Sequence, residues 1–264
     1  MSDILQDEIT GRVRRLTMNR PEKRNALNAA LCRELVDAIN QANHDHEIGA
    51  VLLMANGPAF CSGMDLHELG HVDDEALGHL HDQLFTLGSR LSKPLVAAVD
   101  GPALAGGFGL VVNCHVVVAS PNARFGLTEI RIGLWPFLVQ RAAVNAIGER
   151  RFLELALTGR IMEPTEAQSM GLIQAIHEDA GAKALEIAEQ LAAYSLPAIR
   201  GGLNYAQEIR GEDWEMAGML GRNARQEQFQ GADFLEGLRA FREKRRPVWP
   251  SIAPKSHESG GGVP

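Results

Sequence analysis

The chain has 264 residues, of which 45% are hydrophobic and 22% charged, and its formal net charge is −7. That balance describes a folded protein with room for one large domain or a core with a smaller appendage. It argues against a general nucleic-acid binder, which needs a basic face. No apolar run approaches the roughly 20 residues of a membrane helix. The acidic opening Ser2–Glu8 also lacks the basic and apolar regions of a signal peptide, so a cytoplasmic protein is expected. Cys32, Cys61 and Cys114 are the only cysteines, too few and too odd a set for a disulfide framework. His44 and His46, like His79 and His81, stand two residues apart, a spacing that splays side chains on a helix, so no metal site is expected.

In chain order, Val13–Met18 alternates like a strand and Asn19-Arg20-Pro21 breaks it. A helical pattern runs from about Asn28 to Ala42, with Leu31, Leu35, Ala38 and Ile39 on one face. Val51–Met54, Leu95–Val99 and Val116–Ala119 are short, wholly apolar runs of the kind that suits strands buried on both faces. Helical stretches at about 79–92, 105–113 and 137–148 alternate with them, which predicts an α/β architecture. After about residue 150 the pattern turns helical, at Arg151–Leu157, Glu163–Met170, Ala182–Ala193 and the stretch from Ile199 to Glu243. The expected organisation is a core over 1–195, a helical region over 196–250 and a flexible tail over 251–264, poor in anything to bury.

Two glycine turns each follow a buried-strand candidate: Ala59–Leu66 and Gly101–Gly109. A glycine turn entering a helix leaves backbone N–H groups without intrahelical partners, and two such turns from neighbouring strands can aim two donors at one oxygen. The alternative is that the glycines serve only tight turns and close packing. No Lys-Ser/Thr pair follows the second turn, so it is not a P-loop. Glu129 lies beside Leu127, Ile130, Leu134 and Trp135. Buried there, its carboxyl would be pushed up and could exchange protons near neutral pH. Otherwise it is a surface residue or a partner for Arg124 or Arg131. Cys61 and Cys114, flanked by apolar residues, read as packing cysteines. Two basic clusters, Lys23-Arg24 and Arg242 with Lys244, Arg245 and Arg246, are either solvated charges or local anion contacts.

Taken together, Asn19–Leu27, Phe60–Leu66, Gly101–Gly107, Thr158-Gly159-Arg160 with Gly171-Leu172-Ile173, and Glu236–Phe241 with Glu243-Lys244-Arg245 resemble the enoyl-CoA hydratase/isomerase, or crotonase, superfamily. The likeness runs in the family's order over about residues 5–249. It implies a spiral of ββα units with a helical C-terminal trimerisation region, a homotrimer or hexamer, an acyl-CoA substrate, and no cofactor beyond the coenzyme A of that substrate. It places the oxyanion-hole amides at Met64 and Gly106 and a catalytic carboxylate at Glu129. Coenzyme A contacts are implied at Lys23, Arg24, Ala26, Met64, Asp65, Leu66, Gly106 and, from a neighbouring subunit, Lys244. Trp135 and Phe137 would wall the acyl pocket. Hydratases of the family carry a further glutamate where this chain has Gly109, so the resemblance leans toward double-bond isomerisation by one carboxylate. A second group from the 67–75 segment (His67, Glu68, Asp73 or Asp74) would restore hydration, and loss of chemistry would leave an acyl-CoA-binding protein.

Overall fold

A computed structural model describes residues 3–68 and 74–252. The chain divides into two compact units, Met1–Ala193 and Tyr194–Pro264. In the first, β1 (Leu5–Thr10) and β2 (Val13–Met18) form an antiparallel hairpin that turns at Gly11, where φ is 57°. The edge strand β1 was not expected from the sequence. Its charged residues face solvent, which suits an edge but erases the alternation that betrays a strand. Helix α1 (Ala29–His44) begins at Asn28, whose side-chain oxygen accepts the Leu31 N–H at 2.9 Å. Its Leu31, Leu35, Ala38, Ile39 and Ala42 make the buried stripe.

Strand β3 (Ala50–Ala55) and helix α2 (Asp74–Phe85) follow, then β4 (Leu95–Val99), β5 (Pro102–Leu104) and α3 (Gly106–Val112). Next come β6 (Val116–Ala119), β7 (Arg124–Gly126), α4 (Phe137–Ile147), α5 (Glu149–Thr158), β8 (Ile161–Met162), α6 (Pro164–Ser169), β9 (Ala175–Ile176) and α7 (Ala180–Ala192). A six-stranded sheet has the order β1-β2-β3-β4-β6-β9, parallel except for β1. Successive side chains alternate between two cores. Val51, Leu53, Leu95, Ala97 and Val99 join the main cluster, whereas Ala50, Leu52, Val96 and Ala98 pack with Ala180, Ala184, Ala188 and Ala192 of α7. Both faces are covered, which is why these strands are unbroken apolar runs.

In the first unit β4 and β6 lead into a smaller sheet, β5-β7-β8, and a parallel bridge between Cys61 and Ala103 brings the segment after β3 to its edge. Large-sheet strand, small-sheet strand, helix: β4-β5-α3 and β6-β7-α4 repeat this unit. Phe60, Phe108 and Phe125 are fully buried beside the small sheet. Each stabilises by about 2–3 kcal/mol and anchors one of the chain segments considered below.

In the second unit the helical stretch expected over 199–243 is three helices, α8 (Leu196–Glu208), α9 (Trp214–Phe229) and α10 (Ala232–Glu243). The first ends at Glu208, the chain turns at Gly211 with φ 90°, and Asp213 caps the second by accepting the Met216 N–H at 2.8 Å. Past α10 the chain is held rather than loose. Glu236 accepts from Arg245 at 2.6 Å and from the Val248 amide at 3.0 Å, and Asp233 accepts from the Ser251 amide at 3.0 Å. Ser251 therefore does not belong to the flexible tail expected from 251 onward; residues 253–264 lie outside the described residues. Trp214, 96% exposed, and Phe241, 82% exposed, stand out on these helices.

Candidate active site

Three chain segments run side by side at the small sheet. Cys61 bridges Ala103, and Ala103 is paired in parallel with Phe125. Following each strand outward leads to Met64, Gly106 and Glu129, three, three and four residues on. Neighbouring strands are about 4.8 Å apart, so the register alone gathers the three predicted catalytic residues at one end of the sheet. The two turns touch: a Cβ built on Gly63 would lie 3.2 Å from the Gly106 nitrogen and 2.9 Å from the Ala105 Cβ.

Both candidate amides are free of ladder bonds among the described residues. Met64 forms a parallel bridge with Leu27, whose two bonds are Leu27 N–H to the Gly63 carbonyl (2.8 Å) and Asp65 N–H to the Leu27 carbonyl (3.0 Å). A parallel bridge bypasses the amide of its central residue, so the Met64 N–H faces away from Leu27. Gly106 is the first residue of α3, where an amide has no intrahelical acceptor. Each amide follows a left-handed residue, Gly63 at φ 99° and Ala105 at φ 50°. For Ala105 this is a conformation that costs roughly 1–3 kcal/mol, held by the Ala105 N–H to the Gly126 carbonyl at 2.9 Å. Gly107 is obligatory, since a Cβ there would come within 2.2 Å of the Cys61 carbonyl oxygen.

Glu129 opens a 3-10 turn after β7 and is 8% exposed. Its Oε2 has no hydrogen-bond partner, and burial pushes its carboxyl above the ordinary carboxylate range. It pairs with neither arginine considered as a partner, because Arg124 turns to Glu163 at 3.0 Å and Arg131 is exposed. Ile130 and Leu134, expected as apolar cover, are exposed, as is Phe137 at 72%. Trp135 is half-buried, edge-on to Phe152, with its indole N–H on Gln140 at 2.9 Å.

The site of the absent second carboxylate is closed. A Cβ on Gly109 would meet the Phe85 ring and the Val139 side chain, each at 2.8 Å. The same Phe85 ring lies 3.1 Å from a Cβ built on Gly106. Of the alternative groups after the first turn, His67 is exposed, and Glu68 caps α1 by accepting the Ala29 N–H at 2.8 Å. Asp73 and the side chain of Asp74 lie outside the described residues.

The coenzyme candidates separate into two kinds. Lys23, Arg24 and Leu66 are exposed beside the first turn, and the exposed Lys244 ends α10 in the second unit at φ 54°. Ala26 and Asp65 are committed internally. The Ala26 carbonyl accepts from Arg20 and from the Asn28 amide, while the Asp65 amide donates to Leu27 and its carbonyl accepts from Glu68. They position the turn instead of offering free main-chain groups. Burial alone would raise the Asp65 carboxyl, but the Arg20 guanidinium at 3.0 Å and the His67 amide outweigh it and hold it below its usual range. Arg20 and Asn25 organise the turn as well, a role that their sequence context does not signal. The Asn25 side chain accepts from the Arg20 amide (2.8 Å) and donates to Asn56 (2.9 Å) and Ala59 (2.8 Å), tying the first loop to the first turn. Burial pushes the Cys61 thiol up to about 12, so it remains a packing group. Among the described residues no cluster of three His, Cys, Asp or Glu could hold a metal ion, and no helix is long and apolar enough to cross a membrane.

The chain is similar to known proteins in sequence and fold. Residues 8–252 match the enoyl-CoA hydratase/isomerase family. A probable enoyl-CoA hydratase of Rhizobium meliloti (strain 1021) is 36% identical over 248 residues, covering 90% of this chain and 95% of that protein. The 2,3-dehydroadipyl-CoA hydratase of Escherichia coli (strain K12) is 35% identical over 249 residues, covering 89% and 94%. The crystal structure of an enoyl-CoA hydratase from Mycobacterium smegmatis has a TM-score of 0.89 at 29% identity, covering 94% of this chain and 99% of that one. One from Bacillus anthracis has a TM-score of 0.87 at 30% identity, with the same coverage of 94% and 99%. With the fold recurring across nearly the full chain and the family match running from 8 to 252, this protein belongs to the enoyl-CoA hydratase/isomerase, or crotonase, family.

Proposed function

We propose that the protein binds an acyl-CoA thioester, holds its carbonyl oxygen with the Met64 and Gly106 amides, and moves protons at the neighbouring carbons with Glu129 alone. Two preorganised donors stabilise the enolate, each by roughly 3–4 kcal/mol, which makes the α-carbon acidic. A buried carboxylate with a free oxygen then takes a proton from one carbon and returns it two carbons away, shifting a double bond. The observation that carries this reading is the closed space at Gly109, filled by Phe85 and Val139, together with a buried Glu129 whose Oε2 has no partner. Lys23 and Arg24 are the cations available for the coenzyme phosphates in the first unit, and Lys244 serves a neighbouring subunit's coenzyme in a trimer or hexamer. The hydratase names of the relatives favour a second reading, water addition to a 2-enoyl-CoA, which requires a second proton-handling group.

Glu129→Gln tests the core of the proposal. Turnover of a 3-enoyl-CoA should fall about 100-fold or more, with thioester affinity changed only a few-fold. Full activity in the variant would show that Glu129 is not the base.

A further inference from the structure

The wall beside the closed Gly109 position holds a polar group that neither the sequence reading nor the family pattern uses. His81, on α2, is 6% exposed, and its Nε2 has no hydrogen-bond partner among the described residues. Its ring stacks on Phe85, with centroids 5.8 Å apart and planes at 21°. Phe85 is the residue against Gly106 and Gly109. The ring also lies by the main chain of Leu27, the residue bridged to Met64, which favours a proton on the nitrogen that faces it. Leu27 also lies against Gly106, its side chain 3.2 Å from a Cβ built there, so Phe85 and Leu27, the two neighbours of His81, both border the Gly106 turn. A neutral imidazole that donates through one nitrogen presents the other as an acceptor. Burial lowers the tendency of His81 to take a charge; the Leu27 main chain and Glu68, the ionisable group facing the ring, oppose this only in part. An unpartnered acceptor on a helix face whose other buried residues are Leu77, Leu84 and Phe85 is costly unless a ligand satisfies it.

We propose that His81 Nε2 is the second proton-accepting group of this site, receiving the O–H of a water or of a hydroxyl on the β-carbon of the acyl group. The inference rests on the enolate site described above and takes its second reading, water addition, in which Glu129 does not act alone. In that step the water oxygen bonds to the β-carbon and its proton passes to Nε2. The π electrons move into the enolate held by the two amides, and protonated Glu129 gives its proton to the α-carbon. Imidazolium and carboxylate remain, and a proton returns from one to the other through solvent. Dehydration of a 3-hydroxyacyl-CoA is the reverse.

The test uses the full-length protein with three thioesters: a 2-enoyl-CoA in heavy-oxygen water, a 3-hydroxyacyl-CoA, and a saturated acyl-CoA in deuterium oxide. His81→Phe preserves the stack on Phe85 and removes the nitrogen; His81→Gln restores a hydrogen-bonding end. The ratio of hydration to α-proton exchange should fall about 100-fold or more in His81→Phe and recover in part in His81→Gln. Labelled oxygen in the product identifies water as the bound group. A rise in KM confined to the 3-hydroxyacyl-CoA, without label, identifies the substrate hydroxyl. An unchanged ratio, whether both rates fall together or neither falls, overturns the role of His81 alone. Absence of α-proton exchange in the unaltered protein overturns the enolate reading and this inference with it.

Discussion

At the scale of single residues the proposed chemistry depends on where one carboxylate is buried. Glu129 has a folded-state pKa above its ordinary 4.5 because desolvation penalises the charged form. Acting as a base it must be ionised, so the rate of α-proton abstraction should rise with pH through that raised value. The sign for stability is opposite. The folded state binds this proton more tightly than the unfolded one, so the contribution of Glu129 is most favourable below pH 4.5 and is lost as pH rises through the folded pKa. Glu129→Gln should therefore melt higher than the unaltered protein near neutral pH, with the gap closing below pH 4.5. Thermal melts across that range check it, and a constant gap would contradict burial of the charge. This residue was legible because an acid among Leu127, Ile130, Leu134 and Trp135 is conspicuous in a linear sequence. His81 and Asn25 were not. The Leu27 main chain beside His81, and the Asn56 and Ala59 carbonyls that Asn25 binds, are distant along the chain, and only folding brings them near.

At the scale of elements the site is a matter of strand register. The bridge from Cys61 to Ala103 and the pairing of Ala103 with Phe125 deliver Met64, Gly106 and Glu129 to one sheet end. Close approach of α3 to the first turn enforces this, and Gly107 permits it. Gly107→Ala would drive a methyl into the Cys61 carbonyl, at 2.2 Å, so about 3 kcal/mol of stability should be lost along with activity. Gly109→Ala meets only side chains, Phe85 and Val139 at 2.8 Å, and should cost about 1–3 kcal/mol in denaturant unfolding. A larger cost for Gly109→Ala than for Gly107→Ala would contradict this packing of α3. The buried parallel strands were readable from their apolar runs because both faces are covered. The short strands β5, β7 and β8 were not, since two or three residues carry no period, and β1 was hidden by its exposed charges. Breaks inside the 199–243 stretch come from Gly211 and Gly231, single residues in a continuous helical composition.

At the scale of the whole molecule the family likeness carried the fold further than periodicity alone. Alternating strands and helices say α/β; the repetition of large-sheet strand, small-sheet strand and helix shows only in the paired coordinates. The second unit displays Trp214, Phe241 and Val248 to solvent, more large apolar surface than helices of a monomer ordinarily expose. The proposed trimer or hexamer covers such surface. Sedimentation of Phe241→Asp or Trp214→Asp should show a smaller species than the parent chain, and an unaltered monomeric parent would contradict the assembly.

The account depends most on the two amides acting on a thioester oxygen. Isotope-edited infrared spectroscopy of an acyl-CoA labelled with carbon-13 at its carbonyl, bound to the protein, reads that contact itself. The account predicts a carbonyl stretch shifted well below its value in water, with the shift retained in Glu129→Gln because the carboxylate is not the donor. A bound carbonyl that vibrates as it does in water would contradict the oxyanion site.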